Sequence, residues 1–159
     1  MAVGYRAAGP ADRAFIVSAW SSSYRTAHSA GLITMEDWAD VMHGQIGKVL
    51  DRPYVDIKVA HEIDDPDPIA DLYGFIVADV TMEATLYRHP TRYPYVYYVY
   101  VKSPMRRMGI ARGLFAAMGI DANEPFSYAC KTGILSVLAP KLADATFDPL
   151  VARYRRDDV

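Results

Sequence analysis

Residues Tyr95 to Ile120 read YVYYVYVKSPMRRMGIARGLFAAMGI. The first seven are all tyrosine or valine, side chains that favour a pleated strand. Lys102-Ser103-Pro104 breaks the run, and beyond Gly109 apolar residues return at helical spacing. The stretch therefore predicts a strand that turns into a helix start. Such a start attracts anions: the N–H groups of its first turn have no intrahelical partner, and the macrodipole adds partial positive charge. Gly109 omits the side chain that would hold a phosphate away. Lys102, Arg106, Arg107 and Arg112 surround the turn, with no acid until Asp121, in a chain whose formal charge is −2. Cations gathered at one helix start in a mildly acidic chain point to a phosphorylated ligand.

Outward from this stretch, Val3 to Ala7 is expected to form a first strand. Phe15, Ile16, Ala19 and Trp20 then mark a helix running to about Ala27. Thr34, followed by Glu36 and Asp37, is a plausible cap for a second helix with an apolar face of Trp38, Val41, Met42, Ile46, Val49 and Leu50, ending before Pro53. YVDIKVA, Tyr54 to Ala60, alternates as a half-buried strand with Val55, Ile57 and Val59 on one face. An acidic, proline-rich turn at Glu62 to Pro68 connects it to a strand over Leu72 to Val80. Arg88 to Pro94 reads as a loop into the central strand, and Phe126 to Cys130 as a strand after the helix of about Met108 to Ile120. A helix over Thr132 to Ala145, interrupted by Pro140, and an edge strand over Thr146 to Tyr154 complete the order. Strands and helices in this order predict an α+β sheet covered by helices.

At 159 residues and 52% hydrophobic the chain suits one well-packed domain. No apolar run approaches the ~20 residues of a membrane span. MAVGYRAAGPADRAF lacks the apolar segment of a secretory signal, and the single Cys130 has no partner for an internal disulfide, which fits a reducing cytoplasm. The near-neutral charge argues against broad binding to duplex nucleic acid and leaves room only for a local patch. A homodimer is left open by composition.

Arg106 to Ala111, RRMGIA, resembles the Arg/Gln-x-x-Gly-x-Gly/Ala pyrophosphate loop of the GCN5-related N-acetyltransferase (GNAT) superfamily. In those enzymes the loop follows a fourth strand that ends in aromatic-Val, a short linker and Arg. Here Tyr100-Val101, Lys102-Ser103-Pro104-Met105 and Arg106 stand in that order. The element order is also similar to GNAT architecture, so the likeness covers most of the chain, although only the loop is specific. The stretch also resembles acetyltransferase-like proteins of tailed bacteriophages, which share a YVYVK-type strand and an R-x-x-GIA loop.

The resemblance implies one GNAT-like domain over residues 1–159, with a mixed, mostly antiparallel central sheet flanked by helices. It implies that Arg106, Arg107, Met108, Gly109, Ile110, Ala111 and Arg112 hold the pyrophosphate of acetyl-CoA, chiefly through backbone amides. Main-chain groups near Tyr100 and Val101 would pair with the pantetheine arm, and an unprotonated amine would attack the thioester directly where the sheet splays. The expected activity is acyl-CoA-dependent N-acyl transfer to an amine of unknown class. The alternative is a noncatalytic GNAT-like module that contacts a macromolecular partner, in a phage setting. The plain reading of the loop is a solvated basic helix start that happens to contain glycine.

GNATs often carry a carboxylate base on the strand before the loop, and Tyr95 to Val101 contains none. A period of two puts Tyr95 and Tyr97 on one face and Tyr98 and Tyr100 on the other, subject to any bulge. A tyrosine with a pKa near ~10 can protonate a leaving thiolate. The leaving-group tyrosine of the family pattern is missing, because APKLADATF has Ala139 and Pro140 near that position. Tyr97 and Tyr128 are therefore the catalytic candidates, with Tyr154 a remoter substitute and ordered water a further relay. The same rings equally suit plain sheet packing.

His28, His43, His61 and His89 lack metal-ligand spacing, so no metal is implied. Cys130 reads as a small buried hydrophobe, and Glu62, Asp64, Asp65 and Asp67 as a solvated loop. Ser22, Tyr24 and Arg25 lie where GNATs often contact substrate.

Overall fold

The alternating and periodic segments assemble, in a computed structural model, into one six-stranded sheet with helices on both faces. The structure describes residues 2–28, 34–64, 67, 72–80, 94–121, 123–129 and 145–147, with the side chains of 25–28 and 145–147 left aside. In chain order the elements are β1 (Val3–Ala7), α1 (Arg13–His28), α2 (Met35–Leu50), β2 (Val55–Glu62), β3 (Leu72–Asp79), β4 (Tyr95–Val101), α3 (Ile110–Ala117), β5 (Phe126–Tyr128) and β6 (Ala145–Phe147). Spatial order follows sequence order. The pairs from β1 to β4 are antiparallel, whereas β4 with β5 and β5 with β6 are parallel.

Two apolar layers sandwich the sheet. Ala60, Ile76, Ala78, Val96, Val99 and Val101 meet Ile110, Leu114 and Phe115 of α3 on one face. Val59, Phe75, Val77, Tyr95, Tyr97 and Tyr98 meet Ile16 and Trp20 of α1 and Ile46 of α2 on the other. Val55, Ile57 and Val59 share that second layer, as the alternation of YVDIKVA predicts. Thr34 caps α2 by accepting from the Asp37 N–H at 3.2 Å, with Glu36 and Asp37 in the first turn and Lys48 in the last to complement the macrodipole. Among the described residues, no helix is long and apolar enough to cross a membrane.

Several expectations shift. Val41, expected on the buried face of α2, is 63% exposed, while Trp38 and Ile46 carry the contact. α3 starts at Ile110 rather than Met108, because a 3-10 turn over Ser103–Met105 and the loop behind it take up the chain first. β6 at Ala145–Phe147 covers the start of the strand expected from Thr146 and takes in Ala145, expected as the end of a helix; the remainder of that strand and residues 132–144 of the expected helix lie outside the described residues.

The largest departure is in β4. Val77 of β3 pairs with Tyr98 while Ala78 pairs with Val96, so Tyr97 is an extra residue and β4 is bulged there. A bulge puts two successive side chains on one face. Tyr95, Tyr97 and Tyr98 accordingly all pack in the layer under α1 and α2, with Tyr100 against the same layer, and the valines fill the other face. The expected split of the tyrosines between two faces is thus corrected by the bulge.

Candidate functional site

β4 and β5 form a fork. The N–H of Ser127 donates to the Pro94 carbonyl and that of Ala129 to the Val96 carbonyl, both at 2.9 Å. Pairing between the two strands covers only Tyr95 and Val96, so among the described residues nothing pairs with β4 on that side beyond Val96. The fork opens toward the C-terminal end of β4, and the Tyr97 bulge lies at its apex.

Backbone alternation shows which groups line the opening. The Lys102 N–H donates to the Tyr73 carbonyl at 2.8 Å, and Tyr100 is paired with Phe75 and Tyr98 with Val77. In an antiparallel pair every second residue exchanges bonds with its partner. Tyr98, Tyr100 and Lys102 therefore turn their main chains toward β3, whereas Val99 and Val101 turn theirs into the fork. Of the two residues expected to offer main-chain groups, Val101 turns its main chain into the fork and Tyr100 turns its own to β3; Val99, which the sequence reading did not single out, lines the fork beside Val101.

The basic loop closes the open end. Arg106 is extended (φ −71°, ψ 156°), and its Nε donates to the Val101 carbonyl at 3.1 Å, folding the side chain back over the mouth. Arg107 at φ 66° and Gly109 at φ 79° both adopt the left-handed region, one of them without the freedom of glycine. Gly109 caps α3, and the Gly113 N–H reaches back to its carbonyl at 3.0 Å. The N–H groups of Ile110, Ala111 and Arg112 thus have no helical acceptor. A β-carbon at Gly109 would meet nothing within 4 Å, so the cap faces open space. Arg106, Arg107, Met108 and Arg112 are exposed around it, and the first turn contains no acid. This donor set suits a phosphate or pyrophosphate. Lys102 is not part of it: its Nζ sits 5.2 Å over the Phe15 ring of α1, on the other face of the sheet.

The two tyrosines singled out as catalytic are separated by the sheet. Tyr97 lies under α1 and α2, where its hydroxyl accepts from Arg52 Nη1 at 3.3 Å and its ring meets that of Tyr95 edge-on at 4.9 Å. Tyr128 lies under α3, against Phe126. Tyr98 stacks on Trp20 at 4.8 Å, and its hydroxyl is 2.6 Å from Ser23 Oγ. Ser23 spends its only proton on the Ala19 carbonyl at 2.7 Å, so the Tyr98 phenol donates to the serine.

Ser22 is exposed, and Tyr24 stacks on Trp38 at 5.8 Å. His43 is exposed, while His61 is partly buried with Nδ1 2.9 Å from the Glu62 carbonyl. Side chains of Arg25 and His28, and all of His89, Cys130 and Tyr154, lie outside the described residues. Among the described residues no three His, Cys, Asp or Glu are grouped to hold a metal ion.

Two buried polar residues near the apex were overlooked in the sequence, Asp79 and Ser127. The signal for the first was present: Asp79 closes the otherwise apolar segment FIVAD at the end of β3.

No family model matches the chain, and no curated protein matches it. Solved structures do match. One is an acetyl transferase assignment from Pyrococcus furiosus, 12% identical, with a TM-score of 0.54 over 94% of this chain and 89% of that one. Another, from Staphylococcus aureus and assigned to the GNAT family of acetyltransferases, is 16% identical, with a TM-score of 0.50 over 72% of this chain and 86% of that one. At these identities the likeness shows the fold, an α+β GNAT-like arrangement of sheet and helices.

Proposed function

We propose that this chain is an acyl-CoA-dependent N-acyltransferase that passes acetyl from acetyl-CoA to an amine by direct attack. The observation that carries the reading is the β4–β5 fork, with main-chain groups of Val99 and Val101 turned into it along one side and the Arg106–Arg112 loop at its open end. A pantetheine arm is a chain of amides that matches such an edge, and a pyrophosphate matches free helix-start amides flanked by arginines. On this reading the thioester lies at the apex beside Tyr97. Direct transfer requires a neutral amine, close approach and stabilisation of the developing oxyanion, and no covalent nucleophile. The neighbouring folds are assigned as acetyltransferases, which supports the same reaction class.

A second reading is a noncatalytic module that keeps the fold and contacts a macromolecule, in a phage setting. It draws on the absence of a carboxylate from β4 and on the separation of Tyr97 from Tyr128 by the sheet. Thiol release from acetyl-CoA in the presence of a panel of primary amines separates the two. Amine-dependent release supports transfer, and CoA binding without release across the panel supports the module.

A further inference from the structure

Arg106 stands between the two halves of the donor site. The 3-10 turn over Ser103–Met105 fixes its main chain: the Met105 N–H donates to the Lys102 carbonyl at 2.9 Å, and the Arg106 N–H to the Ser103 carbonyl at 3.3 Å. Lys102 is tied in turn to Tyr73 of β3, and Met105 packs against the layer under α3. The backbone is thus anchored, while Arg106 itself is exposed. Its side chain runs back to the fork, where Nε donates to the Val101 carbonyl at 3.1 Å. In the other direction the chain passes through Arg107 and Met108 to Gly109, the cap of α3.

Val101 is 2% exposed, and its main chain turns into the fork. Its carbonyl is the acceptor that an amide chain lying along β4 would use, and a guanidinium already sits on it. That contact uses one of the five N–H donors of the guanidinium and joins a cation to a neutral oxygen. A pyrophosphate offers the same cation a charged acceptor in two-point geometry, which makes stronger bonds. A carbonyl in the fork left without a donor carries a desolvation cost, so the guanidinium leaves most readily when another N–H takes its place. Lys102, the other cation of this turn, is not placed for such an exchange, because its Nζ lies over the Phe15 ring on the opposite face.

Resting on the acyltransferase reading, we propose that Arg106 selects phosphate-bearing acyl donors over pantetheine thioesters that lack the phosphates. In the ligand-free protein it caps the Val101 carbonyl. A pantetheine arm alone must displace it and gives it no new partner, so the arm binds weakly. CoA displaces it with an amide N–H and receives it on the pyrophosphate. Rotation of side-chain torsions suffices, because the turn holds the backbone. The two halves of the donor therefore bind cooperatively, although they touch different parts of the site.

NMR titration of the isotope-labelled protein, which reads millimolar affinities, tests this with pantetheine and with CoA on wild type and Arg106→Ala. The substitution should tighten pantetheine about three- to tenfold, the value of one intramolecular hydrogen bond that no longer has to be displaced. It should weaken CoA about tenfold through the lost contact to the phosphates. Arg106→Met, which keeps the aliphatic stem, should repeat the pattern and guards against a loop loosened by alanine. Opposite signs for the two ligands are the signature. An arginine that serves only as charge would weaken CoA and leave pantetheine unchanged, and one that only braces the loop would weaken both. Either pattern, or no detectable pantetheine binding by the variants, overturns the assignment while CoA binding by wild type keeps the acyltransferase reading. Wild type that fails to bind CoA overturns both.

Discussion

Tyr5 of β1 and Gly113 of α3 meet so closely that a β-carbon at position 113 would collide with the phenol oxygen. Gly113 also donates the hydrogen bond that closes the first turn of α3 on the Gly109 carbonyl. The height of the first turn of α3 above the sheet is thus set by contact with the edge strand. Gly113→Ala should cost about 1–3 kcal/mol by overpacking, or several degrees of Tm. Tyr5→Ala should open room for the new methyl group, so the double variant should be more stable than the sum of the singles predicts. Thermal denaturation of the four proteins measures that coupling.

Arg107 is held at φ 66°, where a β-carbon is strained. Arg107→Gly should relieve up to about 1 kcal/mol of strain, partly offset by the greater freedom of glycine in the unfolded chain. It also removes an exposed cation from the loop, so CoA affinity and its salt dependence should both fall. Denaturant unfolding alongside titrations at two salt concentrations checks both, and a variant with weaker stability and unchanged affinity would contradict the account.

Much of this arrangement was legible in the sequence. The strand-loop-helix unit of Tyr95 to Ile120 is carried by local signals, a tyrosine-valine run, Pro104 and Gly109, and it stands with α3 trimmed at its start. β1, β2, β3 and α2 followed from period and capping for the same reason. The facing of the tyrosines was not legible, because a bulge is set by how β4 registers against β3, which no period within β4 records. The pairing of Asp79 with Tyr95 and of Tyr95 with Ser127 likewise joins three distant segments of chain. Lys102 was misplaced because charge clustering along the sequence ignores the strand's alternation, which sends its side chain to Phe15.

Asp12 ties the β1 end to the turn before α1. Burial works to raise its pKa, but the hydrogen bonds from Arg6 and from the Gly9 N–H outweigh it and hold the carboxyl below the ordinary carboxylate value. A group depressed in the folded state stabilises fully above its unfolded pKa, near ~3.9, and loses that contribution as pH falls through the folded value. Wild-type Tm should therefore drop as pH is lowered from about 4, and Asp12→Asn should lower Tm at neutral pH while flattening that acid limb. An unchanged acid limb in the variant would assign the drop to other carboxylates.

Tyr97 and Tyr128 lie on opposite faces, so their contributions to turnover should be independent. The rate of Tyr97→Phe/Tyr128→Phe should equal the product of the single effects, with CoA affinity retained in each. A double variant no slower than the worse single would place both hydroxyls in one proton path and contradict the separation.

The central claim is that the start of α3 receives the pyrophosphate of CoA, and calorimetric titration of CoA into wild type, Gly109→Ala and Gly109→Glu tests it most directly. Both substitutions strain the backbone at φ 79°, but only glutamate adds bulk and negative charge to the open space in front of the cap. The account predicts saturable binding by wild type, measurable binding by the alanine variant, and none by the glutamate variant, with the two variants similar in Tm. Wild-type protein that gives no binding heat at millimolar CoA, or a Gly109→Glu protein that binds as tightly as wild type, would contradict it.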